Sequence, residues 1–154
     1  MLYSIVKWIH ILCAIVALGA NLTYFPWFIR VANNRASLVF TLSTIRLLDN
    51  WIANPAYVLA FISGAIMIRM GGFIQYSTPW MSVALALYAL VSLLGLFVYA
   101  PLLKRQQKLA ETLGPDDASY RQTAPSGLIL GALIVLLTLG ITFLMVTKPA
   151  LWGG

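Results

Sequence analysis

The chain has 154 residues, 61% of them hydrophobic and only 9% charged, with a mean hydropathy of +0.89 and a net charge of +6. Soluble domains carry about 25% charged residues, so this chain cannot coat a water-soluble globule and must use lipid for much of its solvent. A single cysteine, Cys13, excludes an internal disulfide or a cysteine-rich zinc site, and the ten cations cluster at the ends of apolar runs as membrane anchors do, which argues against nucleic acid as a partner.

The first apolar run covers about residues 2–29 and closes on Pro26, Trp27 and Arg30. Lys7 stands near its start, but no small-residue cleavage site follows, so a retained helix is expected rather than a signal peptide. The link over residues 30–50 mixes apolar residues with Arg35, Arg46 and Asp49. It reads either as a short interfacial helix or as an inward extension of its neighbours. The second run, about 51–68, follows Asp49 and Asn50, residue types that cap helix starts.

A tight MGGFIQYST connection leads to the third run, about 80–103, opened by Thr78-Pro79 as a cap and a first-turn proline. The link over 104–126 looks soluble; it should continue the third helix and break at Gly114-Pro115. The fourth run, about 127–147, ends at Lys148-Pro149. At about 20 residues per crossing, each run is long enough to span, and in hydrocarbon each must be helical to satisfy its own backbone. The expectation is one all-α domain over residues 1–154, a membrane-embedded four-helix bundle.

Seven cations (Arg30, Arg35, Arg46, Lys104, Arg105, Lys108 and Arg121) fall on the side of the two long links, against three (Lys7, Arg69 and Lys148) on the other. The positive-inside rule then places links 30–50 and 104–126 in the cytoplasm and both termini outside, in a prokaryotic inner membrane. Trp8, Tyr76, Trp80 and Trp152 form an outer aromatic belt, with Trp27 and Trp51 on the inner side.

His10 is the sole histidine and sits within the first run. At 100° per residue it shares a face with Ala14, Ala17 and Asn21, two small residues and then a polar one, and the small ones admit a neighbouring helix or a flat ligand. One reading is a hydrogen bond to a neighbouring helix or a headgroup. The other is a metal or haem b ligand, because an ionisable group inside a membrane helix is a functional candidate. Met67, Met70, Met81 and Met145 fall toward the same layer. Met67, Met81 or Met145 is thus a candidate second ligand for haem, and Cys13 with these thioethers is a candidate set for copper(I). Packing is the plainer role for the methionines and for Cys13.

Arg46 and Asp49 lie one turn apart, ahead of Asn54-Pro55. They read as an ion pair with a helix cap, or as a polar cytoplasmic mouth, with Asn54, that receives a headgroup or a proton. Gly127 and Gly131, with Gly64 and Gly95, supply low-profile stripes for close helix packing. No carboxylate lies inside the four apolar runs, which argues against a carboxylate-based pump, and four helices without inverted halves argue against alternating access.

Taken together, KWIHILCAIVALGAN, LDNWIANPAYVLAFISG, TPWMSVALALYALVSLLG and FLMVTKP resemble a small bacterial family of predicted integral membrane proteins of unknown function with four membrane helices. The resemblance runs in order over nearly the whole chain and includes Tyr120 and Arg121. The Lys-x-x-His-Ile opening is also similar to membrane-bound protoporphyrinogen oxidase and to the copper-resistance D family. The first of these implies haem b on His10. The chain lacks the oxidase group's later lysine and arginine-rich segment and the copper family's further histidines. Three activities follow as expectations: a haem b protein in a redox or respiratory context, a non-catalytic accessory or assembly subunit (of a larger membrane complex or a homodimer), and a copper-handling protein.

Overall fold

The computed structural model describes residues 1–31, 35–71 and 78–151, with side chains described from Ser37 onward in the second segment. Every regular element among them is helical: α1 (Leu2–Val31), α2 (Arg35–Leu48), α3 (Asn54–Gly71), α4 (Pro79–Leu93), α5 (Ala100–Thr112) and α6 (Ala118–Thr147). Two of the joints are not breaks. A π-helical turn, Asp49–Ala53, fuses α2 to α3, and another, Leu94–Tyr99, fuses α4 to α5. Four continuous rods result, at Leu2–Val31, Ser37–Gly71, Pro79–Thr112 and Ala118–Thr147, each apolar enough to cross a bilayer. We refer to them as spans 1 to 4. The protein is a multi-pass integral membrane protein with the four-helix architecture expected.

The π turns have a sequence cause. Pro55 and Pro101 each stand just inside the helix that follows one of them. A proline lacks an N–H and its ring presses on the carbonyl four residues back. Widening the ladder by one residue relieves that pressure: Asn54 N–H donates to Asp49 O and Ala100 N–H to Gly95 O, both five residues back.

Helix limits differ from the apolar runs. The 30–50 link is helical from Arg35, so it is an inward extension of span 2, and Asp49 and Asn50 lie mid-rod rather than capping a start. Span 3 runs on to Thr112 before the chain turns at Gly114, whose φ of 96° is the left-handed conformation glycine adopts readily. Span 4 starts nine residues earlier than its apolar run, because the Asp117 carboxylate caps it by accepting from Ser119 N–H at 2.8 Å. Lys148 ends it in the left-handed region. Rods of 35 and 34 residues measure about 50 Å, well beyond a hydrocarbon core of about 30 Å. Spans 2 and 3 therefore project past the bilayer at the end where the two long links lie.

The apolar core is concentrated in that link-side half. Leu38, Leu42 and Ile45 of α2 and Leu103 of α5 are fully buried, joined by Tyr24, Val31, Tyr99 and Tyr120. Elsewhere large apolar side chains such as Trp51, Phe97 and Phe143 point outward, as a lipid-facing surface requires. Span 1 packs against spans 2 and 4, and span 4 packs against span 3. Spans 2 and 3 meet backbone to backbone only through α2 and α5, while α3 and α4 stand apart. Trp80 at the start of span 3 lies beneath Lys148 Nζ, 5.6 Å from the ring centroid. Trp8, Trp27 and Trp51 are exposed, whereas Tyr76 and Trp152 fall outside the described residues.

Candidate functional site

The separation of α3 from α4 leaves a cavity of about 480 Å³. Its floor is formed by buried residues: Asn21 of span 1, Val91, Tyr99 and Leu103 of span 3, and Ile134 of span 4. Its rim is formed by exposed ones, Asn50 and Val58 on span 2 and Leu96, Ala100 and Lys104 on span 3. A buried floor and an exposed rim on two adjacent rods describe a side window that opens between spans 2 and 3. Both π turns border it, and such turns re-aim side chains and backbone carbonyls where an α-helix would not.

Two contacts close the window toward the end that bears the termini. Phe61 and Tyr88 stack at 5.4 Å between ring centroids, and the Tyr88 hydroxyl donates to Tyr57 O at 2.9 Å. The Tyr57 hydroxyl accepts from Asn21 Nδ2 at 2.7 Å and lies 3.3 Å from Thr138 Oγ1. Tyr57 thus ties all four spans together, through its ring hydroxyl to spans 1 and 4 and through its carbonyl to span 3. Toward the link end, Arg46 donates to Gln107 Oε1 across the α2–α5 contact.

Arg46, Asp49 and Asn54 all line this cavity, together with Lys104. Arg46 does not pair with Asp49; its guanidinium goes to Gln107, and the one ion pair among the described residues joins Arg121 to Asp116 at 2.9 Å. The ion-pair-and-cap reading of Arg46 and Asp49 is therefore replaced. A helix that continues through Asp49 leaves no free N-terminal N–H groups for it to cap. Asp49 stands in the wall and forms no ion pair among the described residues. Tyr24, nearly fully buried, interacts electrostatically with it, yet the hydroxyl reaches no partner at hydrogen-bond distance.

His10 lies elsewhere, in the half that bears the termini. Its Nδ1 sits 2.8 Å from Ala60 O and 3.2 Å from Ser63 Oγ of span 2. A carbonyl only accepts, so Nδ1 carries a proton and donates it. Ser63 turns its own proton to Leu59 O at 2.6 Å. A Cβ on Gly64 would come within 3.2 Å of His10 Cε1, so this glycine is the notch that seats the imidazole. Ala17 and Asn21, on the same stripe of α1, are buried against the bundle, and Ala14 is half-buried.

Among the proposed thioethers, Met81 is buried and Met67 and Met145 are half-buried; Cys13 is a free, half-buried thiol. Among the described residues no group of three or more His, Cys, Asp or Glu side chains gathers as a metal site. The glycines behave differently from one another. Gly127 leaves room for the buried Gln106 amide, which donates to Thr123 O at 2.7 Å, and Gly131 faces the Tyr99 hydroxyl. Gly95 has open space on its side, because it lines the cavity.

A family model described as predicted integral membrane protein (DUF2269) matches residues 4–149. The chain belongs to this family. Searches of curated proteins and of solved structures return no match. The DUF2269 match therefore covers all four spans and both π turns, and it leaves the activity to be argued from the site.

The sequence reading did not single out Tyr57, Tyr88 or Tyr99. A signal was present: Tyr88, Ser92, Gly95 and Tyr99 recur at spacings of four, three and four, one face of a helix in an otherwise apolar run. All four line the cavity.

Proposed function

We propose that this DUF2269 protein binds the polar end of an amphiphile drawn from the bilayer, seated in the window between spans 2 and 3. The observation that carries this reading is the cavity itself. Its volume of about 480 Å³ lies within the range of small-molecule sites, and it combines apolar walls with a few convergent polar groups. Its position supports a lipid-derived ligand rather than a solute. The charged residues Arg46, Asp49 and Lys104 lie at the link-side edge of the apolar band, and Val58 and Leu96 lie on the exposed rim where chains would leave toward lipid. The cation asymmetry supports a cytoplasmic location for that edge, in an inner membrane. Native mass spectrometry of the purified protein tests the reading. A retained amphiphile is expected on the wild type and its loss on Gly95→Phe, which fills the open side. Equal retention by both proteins overturns it.

A second reading keeps His10 as a haem b or metal ligand. One observation favours it: Nδ1 is engaged by Ala60 O, which fixes the ring and leaves Nε2 as the ligating nitrogen, the arrangement common to ligand histidines. Haem would supply redox chemistry at that point, with His10 holding it. The cavity does not include His10, so the two readings are independent. A Soret band lost on His10→Ala supports the second, and a colourless folded protein from haem-replete cells refutes it.

A further inference from the structure

The charges around the window specify a headgroup. Lys104 of span 3 and Arg46 of span 2 line it as cations, and Asp49 lines it as a carboxylate that forms no ion pair with a cation among the described residues. Arg46, the nearest basic residue in sequence, is directed to Gln107. A carboxylate with the Tyr24 phenol near it but no paired cation among the described residues is costly at the edge of the hydrocarbon, and an ionisable group in such a place is by default a functional candidate. Asn50 and Asn54, one helical turn apart beside it, add amide oxygens that accept further hydrogen bonds.

We infer that the bound amphiphile is a zwitterionic phospholipid whose headgroup ends in a primary ammonium. The ammonium donates to the Asp49 carboxylate and the neighbouring amide oxygens, and the phosphate faces Lys104 and Arg46. A primary ammonium carries three donors, a quaternary one carries none, and a glycerol headgroup brings no positive charge. This assignment rests on the amphiphile reading above and adds the chemistry that chooses among amphiphiles.

The experiment presents the delipidated full-length protein with equimolar phosphatidylethanolamine, phosphatidylcholine and phosphatidylglycerol of identical chains, and reads each adduct by native mass spectrometry. On the wild type, phosphatidylethanolamine should exceed each of the others on the order of tenfold, the range of one charge-assisted hydrogen-bonded contact. Asp49→Asn should bring it down to the level of phosphatidylcholine, and Lys104→Gln should weaken all three together. Equal or stronger binding of phosphatidylcholine or phosphatidylglycerol by the wild type overturns the assignment, without recourse to any variant. So does a preference that survives Asp49→Asn. Gly95→Phe separates the two levels: adducts abolished without any headgroup preference leave the cavity reading standing and remove this one, whereas adducts that persist unchanged remove both.

Discussion

Around His10, spans 1 and 2 come together over small residues: the imidazole sits against Ala60 and in the notch that Gly64 leaves, and Ala17 further along span 1 is buried. Around Asp49, spans 2 and 3 carry equally modest residues, among them Asn50, Ser92 and Gly95, yet the helices part and leave a cavity. Small side chains therefore do not by themselves close a membrane bundle. What separates the two regions is the backbone. The His10 region is regular α-helix on both sides, whereas the cavity lies between two π turns, each forced by a proline just beyond it. A widened turn displaces the rod and re-aims its side chains, so the His10 ring is seated against its neighbour while Asp49, Asn50 and Asn54 border an open space.

Substitutions that either fill a close contact or remove a tie break this contrast in order of size. Gly127→Val places a side chain where a Cβ alone would lie 2.6 Å from Gln106 Nε2, against a glutamine that is 1% exposed. It should cost about 3 kcal/mol of stability, the upper part of the usual overpacking range, read as a lowered midpoint in a thermal melt in detergent. Tyr57→Phe removes the hydroxyl shared by Asn21 and Thr138 and should cost about 1 kcal/mol, typical of interhelical hydrogen bonds in membranes. A double-mutant cycle with Asn21→Ala should show the two losses to be coupled.

Gly95→Ala sharpens the comparison from the other side. Nothing lies within 4 Å of its Cβ, so stability should stay within about 0.5 kcal/mol of the wild type, unlike the change at Gly127. A large loss there would mean that the helices close over the cavity. Asp116→Asn should have the smallest effect, under about 0.5 kcal/mol and vanishing in high salt. Its ion pair with Arg121 is exposed, at 91% and 69% of the respective side chains. A salt-independent loss would show that the link end is shielded from water.

The four crossings were legible in the sequence because lipid imposes long apolar helices and leaves few alternatives. The rod limits were less so. Asp49, Asn50 and Asn54-Pro55 look like a helix start, and a π turn converts that same series into a continuous helix, which hydropathy does not register. Arg46, Asp49 and Asn54 could be read as one polar mouth from spacing alone, since they lie within about two turns of chain. Their partners across the window, Lys104 and Tyr88, could not, because nothing in a single run states which neighbour stands apart. The hydrogen bond from His10 was foreseen as a type of contact, but Ala60 as the acceptor is a backbone group and leaves no mark in residue identity.

The contrast between a closed region and an open one is tested most directly by photo-crosslinking in a native-like bilayer, with a phospholipid that carries a photoreactive group next to its phosphate. Mapped adducts should concentrate on Asn50, Asn54 and Val58 of span 2 and on Leu96 and Lys104 of span 3, and Gly95→Phe should erase them. Labelling spread evenly over the outward-facing positions of all four spans, or gathered around Ala14, Ala17 and Gly64, would contradict the account.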